Sequence, residues 1–422
     1  MSTLKLKGSS SGEVGVTVPA TVANQTIIIP AAAPAVGNVL KATNTSGTLE
    51  WGTVDTAVGL VNSVTGRIVK DTATNIDIRV SGITGTVSIK YYEGATLHAT
   101  VASQTVTNGK ITTAVPSAVY DETVGDVISI EVVNSSGTAS SNRYDVQVVA
   151  LPTGGTVTTD GSAKIHTFTE TDTFFNTIDG LSVEYLVIGG GGSASGYDGY
   201  GGGGGAGGYQ TGTLSHVDAG SYEIRVGAGA PGGNYNHSQG EDAYNITYNV
   251  YDGQQGGSST FHTVTSIGGG RGGGGASNHG GDGASGGGAM ISSNAGSGTS
   301  GQGNDGGTAG GSWGNVYGAG GGGGAGAVGG NGSEGTGGAG GAGTASSITG
   351  SSVTRAGGGG GSVYSGTSGA GGAGGGGAGK SYGAGDGGDG TANTGGGGGG
   401  CATLNVYGGN GGSGVVILKY TP

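Results

Sequence analysis

The sequence predicts an all-β protein in which an extended β segment and a small β-sandwich precede a glycine-rich domain of packed extended helices framed by strands. Three observations carry this. Short β-branched runs separated by Gly, Asn and Ser recur through the first 150 residues with no helical periodicity. The 110 glycines of the 422 residues are segregated: 18 lie in residues 1–180, leaving 110 − 18 = 92 in residues 181–422. The glycine-rich part also opens and closes on strands as apolar as YLVI and VVIL.

Residues 1–65 contain LKLK, VGVTVP and QTIIIP between polar breaks. Their apolar content is too thin for an independent core, so the segment needs neighbours or further copies of itself. Residues 66–150 carry IDIRV, VSIKYY, KITTAV, DVISIEVV and RYDVQVV at sandwich spacing. They predict an Ig-like antiparallel sandwich of about seven strands. LPTGGTVTTDGS, residues 151–162, has linker composition. Residues 163–422 are the glycine-rich domain.

Composition excludes several classes. With 7 prolines and no third-residue glycine register, the chain is not collagen. A net charge of −12 with 15 basic residues, unclustered, argues against nucleic-acid binding and against attraction to anionic lipid. One cysteine, Cys401, provides neither a disulfide framework nor a thiolate zinc site, and it reads as buried filler. MSTLKLKGSSSG lacks the apolar core of an export signal, and no apolar run is long enough to span a membrane. A soluble product folded without export, with no membrane insertion, is expected.

The glycine runs raise the choice between a flexible linker and an ordered array. Linkers do not begin and end on apolar strands, and the spacers here are Ala, Ser, Asn and Tyr. The ordered alternative is polyglycine II. A helix of three residues per turn has no internal hydrogen bonds, so its N–H and C=O groups point sideways, and without Cβ atoms such helices approach closely enough to bond one another. Fixing each residue costs about 1–2 kcal/mol and each net hydrogen bond returns roughly 0.5–1.5 kcal/mol, so only a complete bundle holds.

The order HTFTETDTF, VEYLVIGGGG, GSYEIRVGAGAPGG, GGSSTF and GGSGVVILKY resembles the glycine-rich domain of bacteriophage tail fibres and tail-tip adhesins. The N-terminal LKLKGSSSGEVGVTVPATVANQTIIIP and VGNVLKATNTSGTLEWG are similar to the start of phage tail fibre proteins. The resemblance implies a virion protein made in the host cytoplasm, docked to phage tail or adaptor proteins through residues 1–65. It further implies a homotrimer and recognition of a host-surface outer-membrane protein or glycan by loops at one end of the bundle. A structural virion component without a receptor is the alternative. Matrix or ice-binding proteins fit less well, given the absent signal and disulfides.

Candidate contact residues are those that interrupt the glycine with aromatic or adaptable polar groups. NYNHSQGEDAYNITYNVYDGQQ, residues 234–255, supplies Tyr235, Asn236, His237, Tyr244, Tyr248 and Tyr251. Its ITYNVY also reads as a strand with Ile246, Tyr248 and Val250 facing inward. Other candidates are Tyr197 and Tyr200 in 193–202, His279 in 276–283, Trp313 and Tyr317 in 310–318, and Tyr382 in 379–390. The isolated Trp313, Tyr317, Tyr364, Tyr382 and Tyr407 need packing partners if the domain is ordered.

No catalytic constellation is legible, and no enzyme activity, cofactor or metal is expected. The literal G-x-x-x-x-G-K-S from Gly374 to Ser381 follows no strand and opens no helix, so it is no phosphate loop. The six histidines lack metal-ligand spacing. A Ca²⁺ between Asp386 and Asp389 is a weaker alternative.

Overall fold

The computed structural model describes residues 2–7, 13–18, 38–42, 49–53, 59–140, 142–196, 200–238, 247–251, 253–274, 279–291, 293–311, 317–403 and 405–422, with backbone alone for 2–53, 234–238 and 247–251. The chain divides into two compact units, Met1–Val148 and Val149–Pro422. Regular secondary structure is almost all strand, and the α-helix among the described residues is the single turn Ser117–Tyr120.

At the start of the first unit, Ser2–Lys7 pairs with Glu13–Val18 and Asn38–Ala42 with Leu49–Thr53, both antiparallel. The sandwich follows. One sheet has the order Lys110–Ala114, Asn75–Ser81, Leu60–Thr65; the other runs Ile68–Val69, Tyr144–Val149, Val127–Asn134, Thr86–Glu93, Thr96–Thr105. A first strand split between two sheets, its first half beside the second strand, Asn75–Ser81, with the fifth, Lys110–Ala114, on that strand's other side, is the Ig-like arrangement. Alternation builds it. Ile76, Ile78 and Val80 of one sheet face Val87, Ile89 and Tyr91, with Ile128, Ile130 and Val132, of the other, all 6 % exposed or less. The sandwich begins before residue 66, because Leu60–Thr65 completes a sheet and Val61 enters the core. On its surface His98 Nδ1 lies 2.6 Å from Glu122.

In the second unit the linker expected at 151–162 contains a strand, Thr156–Asp160, which turns back onto Ala163–Phe168. Linker composition misled because Gly161-Ser162 is also a tight two-residue hairpin turn, with Asp160 opposite Ala163 and Gly161 at φ 59°. A five-stranded antiparallel sheet has the order Thr156–Asp160, Ala163–Phe168, Val415–Tyr420, Leu181–Ile188, Tyr209–Val217. One face packs on a four-stranded sheet of Asp172–Asn176, Gly220–Arg225, Ser259–Phe261 and Val264–Ser266, through Phe174, Val183, Ile224, Phe261, Val416 and Leu418. Its other face contributes Ile165, Leu186, Ile188, Val415 and Ile417 to a cluster with Ala206, Ile348 and Ala356 of the glycine-rich part. Burial on both faces is why YLVI and VVIL read as continuous apolar runs.

The glycine runs form a lattice. Residues 201–208 are its centre, and every N–H from Gly201 to Gly208 donates to another segment. Gly201, Gly204 and Gly207 donate to Cys401, Gly398 and Gly395; Gly202, Gly205 and Gly208 to Gly273, Gly270 and Ile267; Gly203 and Ala206 to Gly320 and Gly323. The carbonyls of Gly201 and Gly204 accept from Ser362 and Gly359, those of Gly203 and Ala206 from Gly288 and Ser285, and those of Gly205 and Gly208 from Gly192 and Gly189. Each partner recurs every third residue, the signature of a three-residue helix, and six surrounding segments make the packing hexagonal. A Cβ on Gly203, Gly204 or Gly205 would fall on the carbonyl of Gly359, Gly192 or Ser285 respectively.

Candidate functional site

Strand and lattice are continuous. Ile188 pairs with Tyr209 in the sheet, and the next step outward is the Gly189 N–H bond to Gly208. Segment 189–196 therefore leaves the sheet and 201–208 returns to it. Register fixes the direction of the others. Segments antiparallel to 201–208, such as 267–273, 359–362 and 395–401, lead away; 318–324, parallel to it, leads back. By the same bonds 227–233 leads out and 253–257 back, 369–373 and 387–391 return, and 408–414 returns into Val415–Tyr420.

The consequence is positional. The flanks of all the sequence-predicted loops point to the end of the lattice farthest from the sheet. Four tyrosines from four different loops meet there in a row. Tyr317 lies edge-on to Tyr200 at 5.4 Å between centroids, Tyr200 is 6.3 Å from Tyr364, and Tyr364 is 4.8 Å from Tyr382. Tyr317 is 3 % exposed and packs with Met290 and Ile291. It serves the interior of this end, not its surface. Exposure rises along the row to 38 % at Tyr364 and 46 % at Tyr382. Tyr407, 52 % exposed, does not join the row and is not packed as its isolation in glycine suggested.

Asn234–Ser238 and Thr247–Tyr251 form an antiparallel hairpin, with Tyr235 opposite Val250 and His237 opposite Tyr248. It carries Tyr235, Asn236, His237, Tyr248 and Tyr251. His279 is exposed and accepts the Asn294 N–H at its Nδ1, 3.2 Å away. Tyr197, Tyr244 and Trp313 lie outside the described residues.

At the lattice boundary, side chains replace the missing neighbour helix. Asp282 accepts the Ser297 N–H, Asp305 that of Gly298, and Asn331 that of Thr308. Asp386 and Asp389 accept the N–H groups of Tyr407 and Asn410, each at 2.8 Å. This edge role was not legible in sequence, because it depends on which segments lie outermost. Cys401 is fully buried, and burial pushes its thiol up to about 11, which leaves it protonated and inert.

No curated protein and no solved structure matches the chain. The glycine-rich domain family matches residues 167–421, which spans the strand frame and the lattice together. The chain belongs to the glycine-rich domain family.

Proposed function

We propose that this protein is a bacteriophage tail fibre adhesin. Its N-terminal residues 1–65 attach it to the tail, and the far end of its glycine lattice recognises a receptor on the host surface. One observation carries the reading: the lattice sends the interrupting loops to a single end. That end presents tyrosines, Asn and His from separate parts of the sequence. A backbone lattice suits this task. Its rigidity comes from main-chain bonds, so loop sequence can vary without disturbing the support, and pre-ordered aromatics lose little freedom on binding. The acidic balance and the sequence resemblance at both ends support the same reading.

The test is binding of the full chain to intact candidate host cells, with deletion of 234–252 and Trp313→Ala alongside. Saturable binding that the deletion abolishes, with the protease-resistant lattice retained, is the expected result. Absence of binding to cells that the parent virus infects would favour a structural virion component instead. The attachment segment is expected to associate as a homotrimer, and light scattering that gives a stable monomer would refute that part.

A further inference from the structure

The last segments of the lattice carry a polar groove that the loop reading does not use. Its floor is Gly387 and Gly408, both buried; its walls are Asp386 and Asp389 on one side and Tyr407 and Asn410 on the other, all exposed. Asp386 Oδ1 is held by the Tyr407 N–H, and Asp389 Oδ1 by the N–H and the side-chain amide of Asn410 at 2.8 and 3.0 Å. Asn410 is itself fixed, because its Oδ1 accepts the Gly232 N–H at 2.8 Å. Among the described residues the second oxygen of each carboxylate makes no hydrogen bond. The groove therefore offers two pre-set acceptors, an anchored amide and an open aromatic face over a floor without side chains.

The geometry points to a neutral saccharide chain as the occupant, which rests on the adhesin reading above and narrows its receptor to a glycan. Sugar hydroxyls donate to the free carboxylate oxygens, and the C–H face of one ring lies on Tyr407. The period suits a polymer. Asp386 and Asp389 stand one turn apart, as do Tyr407 and Asn410, about 9 Å along the axis at ~3.1 Å per residue. The same acceptor thus recurs along a linear ligand. That separation is also too wide for one divalent cation, whose oxygen ligands lie at roughly 2.3–2.6 Å. An anionic ligand would meet two carboxylates on a chain of net charge −12. A protein surface would find no apolar floor to bury.

The experiment measures binding of the full chain to host cells left untreated, oxidised with periodate to cleave vicinal diols, or stripped with protease. Tyr407→Ala, Tyr407→Phe and the double Asp386→Asn, Asp389→Asn are compared with the parent. Both Asp→Asn changes keep the oxygen that caps the edge N–H, and Tyr407 is exposed, so the lattice is expected to stay protease-resistant. Binding should survive protease and Tyr407→Phe, and should fall about tenfold or more with periodate, Tyr407→Ala or the double substitution. Binding that resists periodate and all three variants, or that protease alone removes, would overturn the saccharide groove while leaving an adhesin. Failure to bind any untreated host cell would overturn the adhesin reading and this inference with it.

Discussion

The two units solve the same problem by opposite means. In the sandwich, side chains do the work: Ile76, Ile89, Ile128 and Ile130 fill a shared core, and backbone bonds follow the sheet. In the glycine lattice the backbone is the core, and side chains are excluded because a Cβ would fall on a neighbour's carbonyl. Hydrophobic burial is graded and tolerates repacking. A hydrogen-bonded lattice of bare backbone has no slack, because each segment is the partner of several others. The difference teaches that stability can be locally repairable in one half of a chain and all-or-none in the other.

The sharpest break in this symmetry is deletion of Val415–Tyr420. This strand lies between Ala163–Phe168 and Leu181–Ile188 and contributes to both faces of the five-stranded sheet. Its loss should unfold most of residues 149–422 and leave the sandwich transition in place by calorimetry. A truncated protein of unchanged protease resistance would refute the idea that the frame holds the lattice. Gly204→Val should come close to the same effect, since the added carbon meets the Gly192 carbonyl with fixed backbone behind it. Ile130→Ala in the sandwich is expected to cost about 2–5 kcal/mol and to leave the second unit's transition unmoved. A lattice variant milder than the sandwich variant would reverse the comparison.

A pH effect should single out the frame. His166 is fully buried between Phe168, Phe174 and Tyr420, with Nδ1 donating to the Gly154 carbonyl at 2.7 Å and Nε2 3.2 Å from the Tyr420 hydroxyl. Burial holds its pKa below the ordinary histidine value of 6.5. The unfolded chain then binds the proton more readily, so stability is full above pH 6.5 and declines as pH falls below it. Parent protein should lose frame stability between pH 7 and 5, and His166→Phe should flatten that slope; a parent melting point unchanged over this range would contradict the assignment. The smallest effect is expected at the boundary. Asp282→Ala removes the acceptor of the exposed Ser297 N–H, which water can replace, and should cost about 1 kcal/mol or less by chemical denaturation.

Much of this architecture was legible because the physics involved is local. Alternation in IDIRV and ISIEVV placed the sandwich strands, and the apolar ends YLVI and VVIL marked the frame. The boundary at Leu60 was missed because LVNSVT has only Val61 firmly in the core, with a bulge between Val61 and Ser63. The Thr156–Asp160 strand was missed because every residue in it is exposed and the sequence shows no buried face. In the candidate site, aromatics interrupting the glycine marked segments whose flanks lead to one end of the lattice. Which tyrosines are buried and which are open was illegible, since Tyr317, Tyr364 and Tyr407 stand in similar glycine surroundings.

The sequence by itself determined that the chain is all-β, that its glycine is ordered between strands, and where the lattice is interrupted. These follow from periodicity and from what a missing Cβ permits. Only the tertiary structure decided which segments surround 201–208, which tyrosines meet in a row, and which aspartates lie at the edge to cap it. Glycine runs are nearly identical to one another, so their pairing cannot be read from composition. It is set by the direction in which each strand delivers its run into the lattice and by the register that the frame imposes.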